Sequence, residues 1–126
     1  MSNNQKIFIV FVCLLCSFIG FLIKLPVPFR GHDKIMHSAF YFLAAGFFHL
    51  LFRKGLLVIL FLLALFGLAI EYLQELSNKI THTHIHGRFD REDVYANLKG
   101  LGLYTLIAGL VFMAKKMYKY FNSNQA

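Results

Sequence analysis

Three short stretches carry most of the residues in this chain that can do chemistry. They are Asp33-Lys34-x-x-His37-x-x-x-Tyr41, then Glu71-x-x-Gln74-Glu75, then Arg88 followed by Asp93-x-x-x-Asn97-x-x-Gly100. Steps of three and four residues dominate these blocks, the spacing that stacks side chains along one helix face. Glu71 and His37 are the candidate catalytic residues, both as general bases, with Asp33 or Asp93 to orient the imidazole. Lys34 and Arg88 suit a phosphate or carboxylate, Arg88 through a two-pronged grip. Gln74 and Asn97 offer neutral hydrogen bonds, and Tyr41 stands one turn beyond His37. No nucleophilic serine or cysteine accompanies them. Any reaction here is therefore a water-mediated hydrolysis or a transfer, and plain binding is an equal alternative.

Each residue also has a structural reading. Asp33 and Asp93 sit where an acid caps a helix start and complements its dipole. His37 suits an interior, hydrogen-bonded histidine, Arg91 a solvated loop charge, and Lys99 a side chain that snorkels to the head groups. His49 has only Arg53 as a polar neighbour one turn away, so it is expected to pack. Glu71 resists this treatment. At the carboxyl end of an apolar stretch the helix dipole disfavours an acid by about 0.3–1 kcal/mol. An acid deep in a membrane span costs about 2.5–3.5 kcal/mol, somewhat less near an interface. Arg88, Lys34 or a bound cation must offset this. The run Thr81-His82-Thr83-His84-Ile85-His86 adds a metal expectation, because an extended backbone puts His82, His84 and His86 on one side, ready for zinc or copper. Exposed loop histidines are the other reading, and no further cofactor is expected.

The elements that hold these residues follow from composition. The chain has 126 residues, 58% apolar and only 15% charged, with mean hydropathy +0.60. A soluble domain this small has too much surface for so few charges, and the apolar content excludes disorder. The net charge of +7 is scattered between apolar blocks and forms no stripe, which argues against nucleic acid and for anionic lipid. Four apolar stretches approach the ~20 residues that cross a bilayer as helix: 7–23, 35–52, 55–76 and 94–114. The runs lack the alternation of barrel strands, and unpaired backbone is too costly in lipid for anything but helix. The expectation is one all-α domain over residues 1–126, a bundle of four transmembrane helices. Cys13 and Cys16 lie inside the first span and are expected to pack. No Ala-x-Ala-like site follows that span, so it is expected to stay in place.

Four spans put the first and third connectors on one membrane face, together with all three polar blocks. Lysine and arginine near the span ends, leaving aside Lys99 within the fourth span, divide evenly. Lys6, Arg53, Lys54, Lys115, Lys116 and Lys119 lie on the side of the termini; Lys24, Arg30, Lys34, Lys79, Arg88 and Arg91 lie opposite. The α-amino group breaks the tie, so both termini are expected in the cytoplasm.

In order and spacing, the three blocks resemble the VanZ-like family of small bacterial membrane proteins, over about Asp33 to Gly102. The resemblance implies a multi-pass protein of the bacterial cell (inner) membrane. The family's namesake is associated with low-level resistance to teicoplanin, and most members have no established biochemical activity. The His-rich stretch between Asn78 and Gly87 departs from the family pattern. Together these readings lead to an extracytoplasmic polar pocket that binds or modifies a lipid-linked or cell-envelope head group. Two alternatives stand beside it. One is a non-catalytic envelope accessory protein, of unknown oligomeric state, whose polar cluster clasps the helices together. The other is a small proton-coupled exporter, a reading weakened by the uncharged first span.

Overall fold

The computed structural model describes residues 1–22, 32–53, 55–82 and 89–123. Among these every element is a helix: α1 (Asn3–Leu22), α2 (Asp33–Phe52), α3 (Leu56–Thr81) and α4 (Arg91–Ser123). All four are long and apolar enough to cross a membrane, so the expected all-α, four-span architecture is what the chain adopts. The distribution of side chains identifies the solvent. Leu50 is 77% exposed and Leu57 79%, whereas Glu71 is 1% and Asn97 3%. Apolar groups outside and polar groups inside suit lipid, not water.

The helices overrun the expected spans. α1 starts four residues before Ile7 because Ser2 and Gln5 close a reciprocal cap: Ser2 N–H donates to Gln5 Oε1 at 2.8 Å and Gln5 N–H to Ser2 Oγ at 3.3 Å. α4 opens behind Asp90, whose Oδ1 accepts the Glu92 amide at 2.8 Å. Asp90, not Asp93, is thus the capping acid. Asp33 does not cap either, for among the described residues its carboxylate accepts only from the adjacent Lys34 amide, at 3.0 Å. α3 continues to Thr81, so Glu71 lies ten residues before its end. The helix-dipole penalty expected at Glu71 fades within a single turn. Burial, with Asp93 close by, makes that acid costly. Arg53 ends α2 in the left-handed conformation (φ 56°), donating to His49 O at 2.7 Å, and Gly55 (φ 73°) starts α3.

α2 and α4 form the tightest pair. Their seam is built from small groups: Ser38 Oγ donates to Ala96 O at 2.8 Å, and Gly100 faces the Ser38 carbonyl so closely that a Cβ there has no room. α3 closes over one flank. Tyr41, Ala45, Phe48, Leu63 and Leu101 make the buried apolar core, with Val10, Cys13 and Phe21 of α1 packed against it. Phe21 holds α1 in place, its ring 5.1 Å from that of His37 and 5.0 Å from that of Phe40. Cys13 packs as expected, while Cys16 is exposed.

His49 departs from its expected packing role. Its Nδ1 shares a 2.7 Å hydrogen bond with the Tyr104 hydroxyl across the α2–α4 seam. The partner lies 55 residues away in sequence, out of reach of any local spacing rule. Tyr104→Phe keeps the ring against Phe42 and removes only this bond. It is expected to cost about 0.6–1.7 kcal/mol, the range for interhelical hydrogen bonds in membranes, read by reversible denaturation in mixed micelles.

Candidate functional site

Helical spacing delivers the polar residues to one place. On α2 the buried stripe is His37, Tyr41, Ala45 and Phe48; on α3 it is Leu63, Gly67, Ile70 and Glu71; on α4 it is Ala96, Asn97, Gly100 and Leu101. The polar ends of the three stripes coincide. One ligand-type atom each from His37, Glu71 and half-buried Asp93 lies within 4.8 Å of the others. Glu71 sits about 22 Å along α3, a helix of 26 residues and about 39 Å.

Few bonds hold this cluster among the described residues. His37 Nδ1 meets Asn97 Oδ1 at 2.8 Å. Glu71 Oε2 accepts the Asp90 amide at 3.3 Å. Glu71 Oε1, Asp93 Oδ1 and the Tyr41 hydroxyl are buried with no partner among the described residues. The space they share is kept open by Gly67, one turn before Glu71. A Cβ on Gly67 would stand 2.8 Å from Asn97 Nδ2 and 2.9 Å from the Tyr41 hydroxyl. Two acids in one buried cluster, with no cationic side chain paired to them among the described residues, form an electron-rich site that attracts a cation or a hydrogen-bond donor.

The other expected site residues lie around the cluster or apart from it. Lys34 forms an ion pair with Glu92 at the exposed rim, so it does not neutralise Glu71. Gln74 turns to α1 and donates to Phe21 O at 2.7 Å, a structural bond in place of a ligand contact. Glu75 pairs with Lys79 one turn on, at 2.7 Å. Asp33 is half-buried in the first turn of α2. His82 is exposed in the left-handed position that ends α3. Arg88, His84 and His86 lie outside the described residues. Gly67 and Asp90 were not singled out by sequence reasoning. The available signal for Gly67 was a glycine exactly one turn before the acid that most needed explaining.

On the other flank of the α2–α4 seam is an open cleft of about 680 Å³, lined by Lys34, Ile35, Ser38, Tyr95, Leu98 and Lys99, among others. Its lysines and hydroxyls stand beside apolar side chains at the same level of the helices as the buried cluster. Comparison with protein-family models, curated proteins and solved structures gives no match.

Proposed function

We propose that the chain is a multi-pass cell-membrane protein of VanZ-like type that binds or modifies the head group of an anionic lipid or lipid-linked envelope intermediate. The α2–α4 cleft supports this reading best. Lys99 attracts phosphate or carboxylate, Lys34 joins it by exchanging its ion pair with Glu92 at the same rim, Tyr95 adds a polar contact, and Ile35 and Leu98 accommodate the start of an acyl chain. The cleft opens on the extracytoplasmic side, with both termini in the cytoplasm. A catalytic version with His37 or Glu71 as general base on a water requires the head group to reach across the α2–α4 seam to the buried cluster, and Ser38 is no nucleophile in it, its hydroxyl being already donated to Ala96 O.

Changing Lys34 and Lys99 together to alanine tests the binding. Each basic residue near an anionic surface contributes about 1 kcal/mol, so the double variant is expected to bind phosphatidylglycerol about thirtyfold more weakly. Its weak binding of phosphatidylcholine is expected to stay unchanged. Native mass spectrometry from nanodiscs reads both values. Equal phosphatidylglycerol binding by the wild-type and double-variant proteins removes the cleft from the proposal.

The clasp reading retains a specific observation. The His37–Asn97 and Ser38–Ala96 bonds both join α2 to α4, as a structural fastening requires. Under that reading stability and binding fall together when the cluster is changed.

A further inference from the structure

We propose that His37, Glu71 and Asp93 form a binding site for a divalent first-row transition ion, with zinc as the leading occupant, buried between α2, α3 and α4. This goes beyond the head-group reading and does not depend on it. It also places metal at a different position from the loop histidines 82, 84 and 86.

Three features point to this site. The first is the donor set. One imidazole nitrogen and two carboxylate oxygens lie within 4.8 Å of one another. Ligands at the usual zinc distances stand about 3.3 Å apart in a tetrahedron, so modest side-chain adjustment closes the arrangement around an ion. Two carboxylates and a neutral histidine carry the charge that a divalent ion cancels. The second feature is independent of the acids' proximity. Glu71 is 1% exposed and Tyr41 0%, yet Glu71 Oε1 and the Tyr41 hydroxyl have no partner among the described residues. Buried oxygens of this kind are normally satisfied. An ion satisfies the carboxylate, and Tyr41 is available to a fourth ligand or to a water on the metal.

The third feature is the support behind the histidine. A metal-bound imidazole generally gives its other ring N–H to an oxygen, which fixes its tautomer and aim. The 2.8 Å contact of His37 Nδ1 with Asn97 Oδ1 supplies that partner. With Nδ1 donating, Nε2 carries the lone pair and is the nitrogen left to take a metal. Gly67 leaves room for the Asn97 amide and the Tyr41 hydroxyl to converge beside the ligands.

The test uses the full chain in detergent micelles, stripped with a chelator and titrated with Zn²⁺ by calorimetry. One ion per chain is expected. Glu71→Gln and Asp93→Asn are expected to weaken binding at least tenfold. Asn97→Ala, a change to the residue that positions His37, is expected to weaken it about tenfold to a hundredfold. Changing His82, His84 and His86 together is expected to leave the stoichiometry intact. A readout on the unaltered protein guards against variants that fail to fold: Co²⁺ loading is expected to give visible ligand-field bands without a thiolate charge-transfer band. The proposal is overturned if wild-type protein binds no stoichiometric ion and shows no such bands, if folded Glu71→Gln binds as wild type does, or if removing the three loop histidines abolishes binding.

Discussion

Gly100→Ala is expected to destabilise the protein by about 3 kcal/mol or more, the upper end of what over-packing a well-fitted interior costs. The reason is what the added methyl group meets. Beyond the Ser38 carbonyl oxygen, it stands 3.0 Å from Ser38 C and 3.1 Å from Phe42 N. All three are backbone atoms of α2, and no rotamer change moves them aside. The whole helix must retreat, loosening the Ser38–Ala96, His37–Asn97 and His49–Tyr104 bonds along one seam. Alanine's better helix propensity, about 1 kcal/mol over glycine, offsets only part of this. Gly102 and Gly109 are the controls, since a Cβ at either meets nothing within 4 Å. Gly102→Ala and Gly109→Ala are expected to be neutral or stabilising by up to about 1 kcal/mol. Reversible denaturation in mixed micelles ranks the three variants. Equal stability of Gly100→Ala and Gly102→Ala contradicts the close approach of α2 and α4.

The helices were legible in the sequence because the bilayer imposes their length and composition. The polar meeting point was legible in outline for a related reason. Ionisable residues inside apolar stretches are costly, so they must face inward, and an even number of spans returns two connectors to one face. That logic pointed to His37, Glu71, Asp93 and Asn97 within a wider set that also held Asp33, Lys34, Tyr41, Gln74, Glu75 and Arg88. It did not reveal which residues satisfy one another, because pairing depends on helix rotation and contact over long sequence separations. His37 meets Asn97 60 residues away and His49 meets Tyr104 55 away, whereas Lys34 turns to the rim and Glu92. The capping roles moved by a few residues for a simpler reason. Asp90 and Asp93 are both plausible acids for the start of α4, and only backbone geometry assigns the cap.

Glu71→Gln separates the two accounts of the cluster with the second large effect. In the metal-free protein Glu71 is a buried acid beside Asp93, with one long bond from the Asp90 amide as its hydrogen bond among the described residues. Glutamine keeps the shape and an oxygen for that amide. It removes one of two neighbouring acids and adds an N–H₂ that can donate to Asp93 Oδ1. If the cluster exists to bind, the metal-free Glu71→Gln protein is expected to be about 1–2 kcal/mol more stable than wild type while its zinc affinity falls. Such a trade of stability for function is usual at sites that concentrate charge. If the cluster is a clasp in which a cation such as Arg88 neutralises Glu71, the same change breaks a buried ion pair and is expected to cost about 3–5 kcal/mol. The two outcomes differ in sign, so one denaturation curve in chelator distinguishes them. His37→Ala completes the comparison. It strands Asn97 Oδ1 and opens a cavity, so it is expected to destabilise under either account, and its zinc binding then shows whether the imidazole is a ligand as well as a fastening.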